Sequence, residues 1–253
     1  MRRHPLNILL TMKKRSKFIV IVALVVLVVG IIAYIDRDWI KRQFFGPTVS
    51  KLVQGRRNGD SKTSQPTVVA QDLAVPWEIV FLPSGDMLVT ERSGLLKRVG
   101  KNQKTYQIDG VEHVGEGGLL GLALHPNFQR NQWLYLYLTT KSGKGLINRV
   151  ERYRYSQDRL SQKKVIAENI PGANIHDGGR LAFGPDKNLY ITTGDAGQEQ
   201  LAQDTSSLAG KILRLTDEGK IPSDNPFNNA VYSYGHRNSQ GLAWDSQGRL
   251  WAT

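Results

Sequence analysis

The spacing of apolar residues changes character once along this chain. From Phe18 to Ile35 (FIVIVALVVLVVGIIAYI) no charge interrupts the run; as a helix it would be about 27 Å long, close to the hydrocarbon thickness of a bilayer. From Val68 onward apolar residues come instead in short runs broken by turn residues, the pattern of strands. Four of these runs are alike: IVFLPSGDMLVT from Ile79, LALHP from Leu122, LAFGPDKNLYIT from Leu181 and LAWDSQGRLWAT from Leu242. Each opens on an apolar strand, passes a turn (Pro83 to Asp86, Pro185 to Asn188, Asp245 to Gly248) and returns in a β-rich strand, as a hairpin does. In the second copy Pro126 to Asn131 predicts a longer turn before Trp133. Leu95 to Val99, Asn148 to Tyr155 and Lys211 to Leu215 predict further strands in the gaps. Units of about 40 to 60 residues with about four strands each are the signature of a β-propeller.

Blade arithmetic refines this expectation. A propeller closes with at least about four blades, whereas residues 67–253 hold three and a fraction, the fourth copy stopping at Leu250-Trp251-Ala252-Thr253. The expected chain is therefore all-β, an incomplete propeller preceded by one transmembrane helix. Its divisions are a basic cytoplasmic segment (1–17), the membrane anchor (18–35), a polar juxtamembrane linker (36–66) and the partial propeller (67–253). An uncleaved anchor is favoured over a signal peptide, because the apolar run is long and no A-x-A-like site follows it.

Charge changes the picture only at one end. The net charge is +12, but thirteen of the 34 Lys and Arg, and only Asp36, Asp38 and Asp60 among the 22 acids, lie in the first 65 residues. The remainder is near neutral, so nucleic acid is a poor partner. Arg2, Arg3, Lys13, Lys14, Arg15 and Lys17 precede the apolar run without any acid. The positive-inside rule then puts the N-terminus in the cytoplasm and the propeller on the periplasmic or extracellular side, with the bilayer held through Phe18–Ile35. The absence of cysteine excludes disulfides, thiolate metal sites and a cysteine nucleophile.

Topology locates a site. Residues just before the first strand and just after the second strand of a hairpin share one end, so the residues entering each repeat line one mouth of the ring. These are Trp77 and Glu78, then Glu116, then His176 and Asp177, then His236, Arg237 and Asn238. Asp195 follows the second strand of the third repeat and returns to the end where His176 lies. A carboxylate there can accept an imidazole N–H and fix its tautomer, the arrangement of a general base with its orienting acid. His125, Asp186 and Asp245 are read as structural, the two acids because Asp in tight turns bonds its own backbone. No metal ligands are assigned.

Several motifs in order, GEGGLLGLALHPNF (115–128), IHDGGRLAFGPDKNLYITTGDAG (175–197), GKILRL with GKIPSDNPF (210–227) and YGHRNSQGLAW (234–244), resemble the soluble glucose and sorbosone dehydrogenases that use pyrroloquinoline quinone (PQQ), nearest to the aldose sugar dehydrogenase branch. The resemblance implies a six-bladed propeller of which about the first three and a half blades are present. It implies oxidation of an aldose at its anomeric hydroxyl to a lactone, by hydride transfer to the quinone. By position His176 matches the general base and Asp195 the acid that orients it. Arg237 and Asn238 match cofactor contacts, and Glu116 stands where the glucose enzymes have Gln. Ile175 stands where those enzymes carry an acid against the sugar, so glucose preference does not carry over. The family's calcium ligands, and the Lys and Arg that hold the cofactor's carboxylates, would lie beyond Thr253, so the piece alone is expected to be inactive. Neither the external electron acceptor nor the preferred sugar follows. A calcium-dependent sugar lactonase and a non-catalytic carbohydrate-binding propeller share the fold, and only the site can choose among them.

Overall fold

The computed structural model describes residues 67–143 and 145–253. The predicted anchor Phe18–Ile35, its basic flank and the linker lie outside the described residues, and no helix among the described residues is long and apolar enough to cross a membrane.

Within 67–253 the chain forms three four-stranded antiparallel sheets and a hairpin, each following the chain in simple meander order. The first sheet is β1 (Pro76–Phe81), β2 (Met87–Glu91), β3 (Leu95–Val99) and β4 (Lys104–Gln107). The second is β5 (Leu119–Leu124), β6 (Trp133–Ser142), β7 (Gly145–Ser156) and β8 (Arg159–Pro171). The third is β9 (Leu181–Phe183), β10 (Leu189–Thr192), β11 (Lys211–Leu215) and β12 (Val231–Tyr234), and the hairpin is β13 (Leu242–Trp244) with β14 (Leu250–Ala252). The repeat starts Ile79, Leu122, Leu181 and Leu242 thus fall in the first strand of each sheet. Register across the turns follows the repeat: Phe81 pairs Met87, Phe183 pairs Leu189 and Trp244 pairs Leu250.

The turn expected at Pro126 to Asn131 contains one helical turn, α1 (Phe128–Asn131), closed by Gln132 in the left-handed region. A second short helix, α2 (Glu199–Gln203), sits in the loop after Asp195. The structural readings of the turn acids agree with their bonds. Asp186 Oδ1 accepts the Asn188 N–H at 3.2 Å and Asp245 Oδ1 accepts that of Gln247 at 2.9 Å. Asp186 Oδ2 also takes Arg214 Nε at 2.8 Å from β11, so this turn is tied to its own sheet.

Two apolar cores lie on either side of the second sheet. Leu119, Leu122, Leu134, Leu136 and Leu138 point into a core shared with Leu82, Leu88 and Leu96 of the first sheet. Leu120, Tyr135, Tyr137 and Val150 point the other way, into a core with Leu181, Ile191 and Leu213 of the third. The alternation is the period-two rule of a strand, applied here with both faces covered, so β6 is apolar from Trp133 to Leu138 rather than alternating with polar residues there. The first strand of the second sheet, β5, contacts both β1 and β9. The segments that precede these first strands therefore converge at one end.

Candidate active site

Four of the five residues singled out in the sequence meet in one hydrogen-bonded cluster. His176 Nδ1 and Asp195 Oδ1 are 2.7 Å apart, and both residues are buried, at 7% and 3% exposure. A carboxylate only accepts, so a neutral imidazole paired with it carries its proton on Nδ1 and has its lone pair on Nε2. Asp195 is fixed in turn: its Oδ1 also accepts the Gly197 N–H at 2.8 Å, and its own N–H donates to the Arg237 carbonyl at 2.9 Å.

Glu116 works on the backbone of the histidine. Its Oε2 accepts the His176 N–H at 2.9 Å and Asn238 Nδ2 at 3.1 Å. Asn238 closes the cluster, because its Oδ1 accepts the Gly178 N–H at 3.0 Å and its backbone bridges Gly194. Entry segments of the second repeat (Glu116), third (His176, Gly178) and fourth (Asn238) are thereby joined to the exit of β10 (Gly194, Asp195). Arg237 joins only through its carbonyl. Its guanidinium is exposed and makes no hydrogen bond or ion pair among the described residues.

The local backbone is tight. His176 has φ of +60°, a left-handed conformation uncommon for a residue with a side chain. Gly194 allows the His176 carbonyl to pass at a distance no side chain would permit, since a Cβ there would lie 1.6 Å from that oxygen. The loop between Asp195 and β11 is held by Lys211, a fully buried lysine whose ammonium donates to the carbonyls of Leu201, Ala202 and Ala209. Burial lowers its pKa from the ordinary lysine value.

Sequence reasoning noted Asp177 at the entrance but assigned it nothing, and missed Asn148, Tyr137 and Gly194. Asn148 Nδ2 donates to Asp177 Oδ1 at 2.9 Å, and the Tyr137 hydroxyl donates to the Asp177 carbonyl at 2.7 Å. Tyr137 carried a signal, an aromatic hydroxyl alternating with leucines as Tyr135 does, but its target lies 40 positions away. His125 is structural as expected, its Nδ1 accepting the Asn127 N–H at 2.9 Å. His236 likewise ties loops, its N–H donating to the Gly210 carbonyl at 3.0 Å.

An all-β chain of successive meanders with a buried, acid-oriented histidine where their entry loops converge defines a class of repeat proteins with a site at one end. Comparison with known proteins makes the class specific. The glucose/sorbosone dehydrogenase family matches residues 73–253, and the chain belongs to that family. It is 34% identical over 221 residues to quinoprotein glucose dehydrogenase B of Acinetobacter calcoaceticus, covering 72% of this chain and 46% of that protein. It is 35% identical over 193 residues to an aldose sugar dehydrogenase of Escherichia coli, covering 70% of this chain and 52% of that protein. Among solved structures, the PQQ-bound aldose sugar dehydrogenase of Streptomyces coelicolor superposes with a TM-score of 0.69 at 44% identity, over 74% of this chain and 58% of the other. The soluble E. coli aldose sugar dehydrogenase, solved in its apo-form, gives 0.69 at 33% identity over the same shares. The chain spans about half the length of the curated relatives it matches.

Proposed function

We propose that this chain is part of a PQQ-dependent aldose sugar dehydrogenase, in which it forms about the first three and a half blades of a six-bladed propeller. The observation that carries the reading is the buried His176–Asp195 pair at 2.7 Å, set where entry segments of three repeats meet. The architecture supports it: three meanders and a hairpin in chain order, with Ile79 and Phe81 of β1 and Trp251 of β14 exposed on the outer sheets. Those apolar faces suit the packing of further blades.

In this reading His176 removes the proton of the sugar's anomeric hydroxyl through Nε2. Asp195 orients the ring through Nδ1 and stabilises the imidazolium that forms. The quinone, when bound, supplies the hydride acceptor, and the protein supplies position and electrostatics. The donor set fits an anionic quinone in one respect: Arg237, whose carbonyl holds the Asp195 N–H, carries an exposed guanidinium, a planar cation with no hydrogen bond or ion pair among the described residues. Asn238 and Glu116 fit less directly, since both ends of the Asn238 amide and the Glu116 Oε2 are spent on each other, His176 and Gly178. Their part would be to hold the histidine loop in place, through the His176 and Gly178 N–H groups. For calcium the described residues offer no group of three or more His, Asp or Glu able to hold an ion, so no step is assigned to it here.

The membrane part of the proposal rests on sequence alone: the charge-free run Phe18–Ile35 behind a basic flank anchors the propeller outside the cytoplasm. The test of function is a titration with PQQ and calcium followed by absorbance and by aldose-dependent dye reduction. It is made on this chain and on a version continued to the length of the solved relatives. The expected result is turnover in the longer protein, abolished by His176→Ala and lowered about 100- to 10,000-fold by Asp195→Asn. A longer protein that binds no quinone and oxidises no aldose overturns the reading.

A further inference from the structure

Asp177 follows the base in sequence and is 1% exposed. Its Oδ1 accepts two hydrogen bonds, from the Ala173 N–H at 3.1 Å and from Asn148 Nδ2 at 2.9 Å, while Oδ2 has no partner. The first of these closes the loop 173–177 on itself, and the second ties that loop to β7 of the neighbouring sheet. The tie continues inward. Asn148 Oδ1 accepts the Thr139 hydroxyl at 2.7 Å, and Asn148 Nδ2 also reaches the Pro171 carbonyl at 3.1 Å. The Tyr137 hydroxyl then holds the Asp177 carbonyl at 2.7 Å. Tyr137, Thr139 and Asn148 are each 0% exposed and stand on the two central strands of the second sheet.

His176 is thus held from both sides. Glu116 takes its N–H, and the following residue is anchored by both its side chain and its carbonyl. A left-handed residue with a side chain persists only where its surroundings over-determine it, and such residues gather at functional sites. Fixing the backbone of residues 176 and 177 aims the imidazole at Asp195, which lies on a different segment.

We propose that Asp177 is a positioning residue for the base: through Asn148 and Tyr137 it fastens the His176 turn to the second sheet and so sets the geometry of the His176–Asp195 pair. The proposal rests on the reading of that pair as base and orienting acid. Burial, with a smaller push from the nearby Glu116 charge, raises the Asp177 carboxyl above the usual carboxylate range, while Asn148, the Ala173 N–H and Arg92 act against it. What the loop uses is an acceptor at Oδ1, a role that an amide fills equally well.

The test is NMR of the 253-residue chain labelled at histidine, observing the hydrogen-bonded Nδ1–H of His176, assigned by its disappearance in His176→Gln. Asp177→Asn keeps the acceptor and is expected to retain this resonance. Asp177→Leu keeps the volume without the acceptor and is expected to lose it to solvent exchange, with the amide resonances of β6 and β7 unchanged. Should Asp177→Leu fail to fold, Tyr137→Phe removes one hydroxyl and is expected to speed exchange of the ring proton about tenfold. A ring proton unaltered in a folded Asp177→Leu, or in Tyr137→Phe, overturns the proposal, as does its loss in Asp177→Asn. The readout needs neither quinone nor sugar, so a failure to bind quinone would count against the dehydrogenase reading alone.

Discussion

Gly194→Ala asks how far the His–Asp pair depends on two chain segments passing closer than side chains allow. A Cβ at Gly194 would fall 1.6 Å from the His176 carbonyl oxygen and 2.1 Å from its carbonyl carbon. Ordinary non-bonded contact begins at about 3.5 Å, so one segment must retreat by about 2 Å. Neither can do so alone. Gly194 accepts the Gly210 N–H at 2.7 Å, Asp195 donates to Arg237 at 2.9 Å, and Ala196 donates to the same His176 carbonyl at 3.2 Å. Overpacking costs about 1 to 3 kcal/mol, and each backbone hydrogen bond lost adds about 1 kcal/mol. The expected destabilisation is about 3 kcal/mol, which for a domain of this size lowers the melting temperature by about 6 to 12 °C. The assay is thermal unfolding by circular dichroism, with Gly143→Ala as control. Gly143 has nothing within 4 Å of its Cβ position and should shift stability by less than about 0.5 kcal/mol. A Gly194→Ala protein that melts within about 2 °C of the parent would refute the reasoning, because the clash would then have relaxed at little cost.

Two further outcomes are expected. The Glu218 carboxyl is held at about 2 by hydrogen bonds from Arg152 and then Lys164. Its folded pKa lies below the ordinary glutamate value of 4.5, so its stabilisation is full above that value and is lost as pH falls toward 2. Glu218→Gln should flatten the acid limb of a urea-midpoint-versus-pH curve in that window and leave its shape above about pH 6 unchanged. Lys211→Met strips the donor from three buried carbonyls, those of Leu201, Ala202 and Ala209. It should destabilise the protein by about 3 kcal/mol, with hydrogen exchange quickening at residues 199–204 while β1 to β4 stay protected.

What could be read from the sequence was what is encoded locally. The four repeat starts and their turns were legible because Pro, Gly and Asp at a hairpin tip constrain only neighbouring backbone. The His176–Asp195 pair was legible for a related reason: the two residues flank one hairpin, so strand geometry alone returns them to the same end. The helical turn at Phe128–Asn131 was not legible, since four residues carry no 3.6 period to recognise. Nor was the full length of β8 (Arg159–Pro171), whose largely exposed residues leave the alternation faint. The support behind His176 was hidden for a different reason. Asn148 on β7 and Asp177 in the loop before β9 are 29 positions apart, and only the packing of the third sheet on the second brings them together.

The alternation along β6 makes the count of its residues as consequential as their identity. Its leucines serve one core, while Tyr135 and Tyr137 serve the other and place their hydroxyls on the carbonyls of Asp217 and Asp177. Deleting one residue would exchange the two sets, turning hydroxyls toward an aliphatic core and removing them from both carbonyls. Deleting two would restore the faces but slide each hydroxyl by about 7 Å, past its acceptor. The strand behaves as a graduated rule laid between the two neighbouring sheets. Divergence can alter the marks one at a time, but a change in length is confined to the connections beyond its ends.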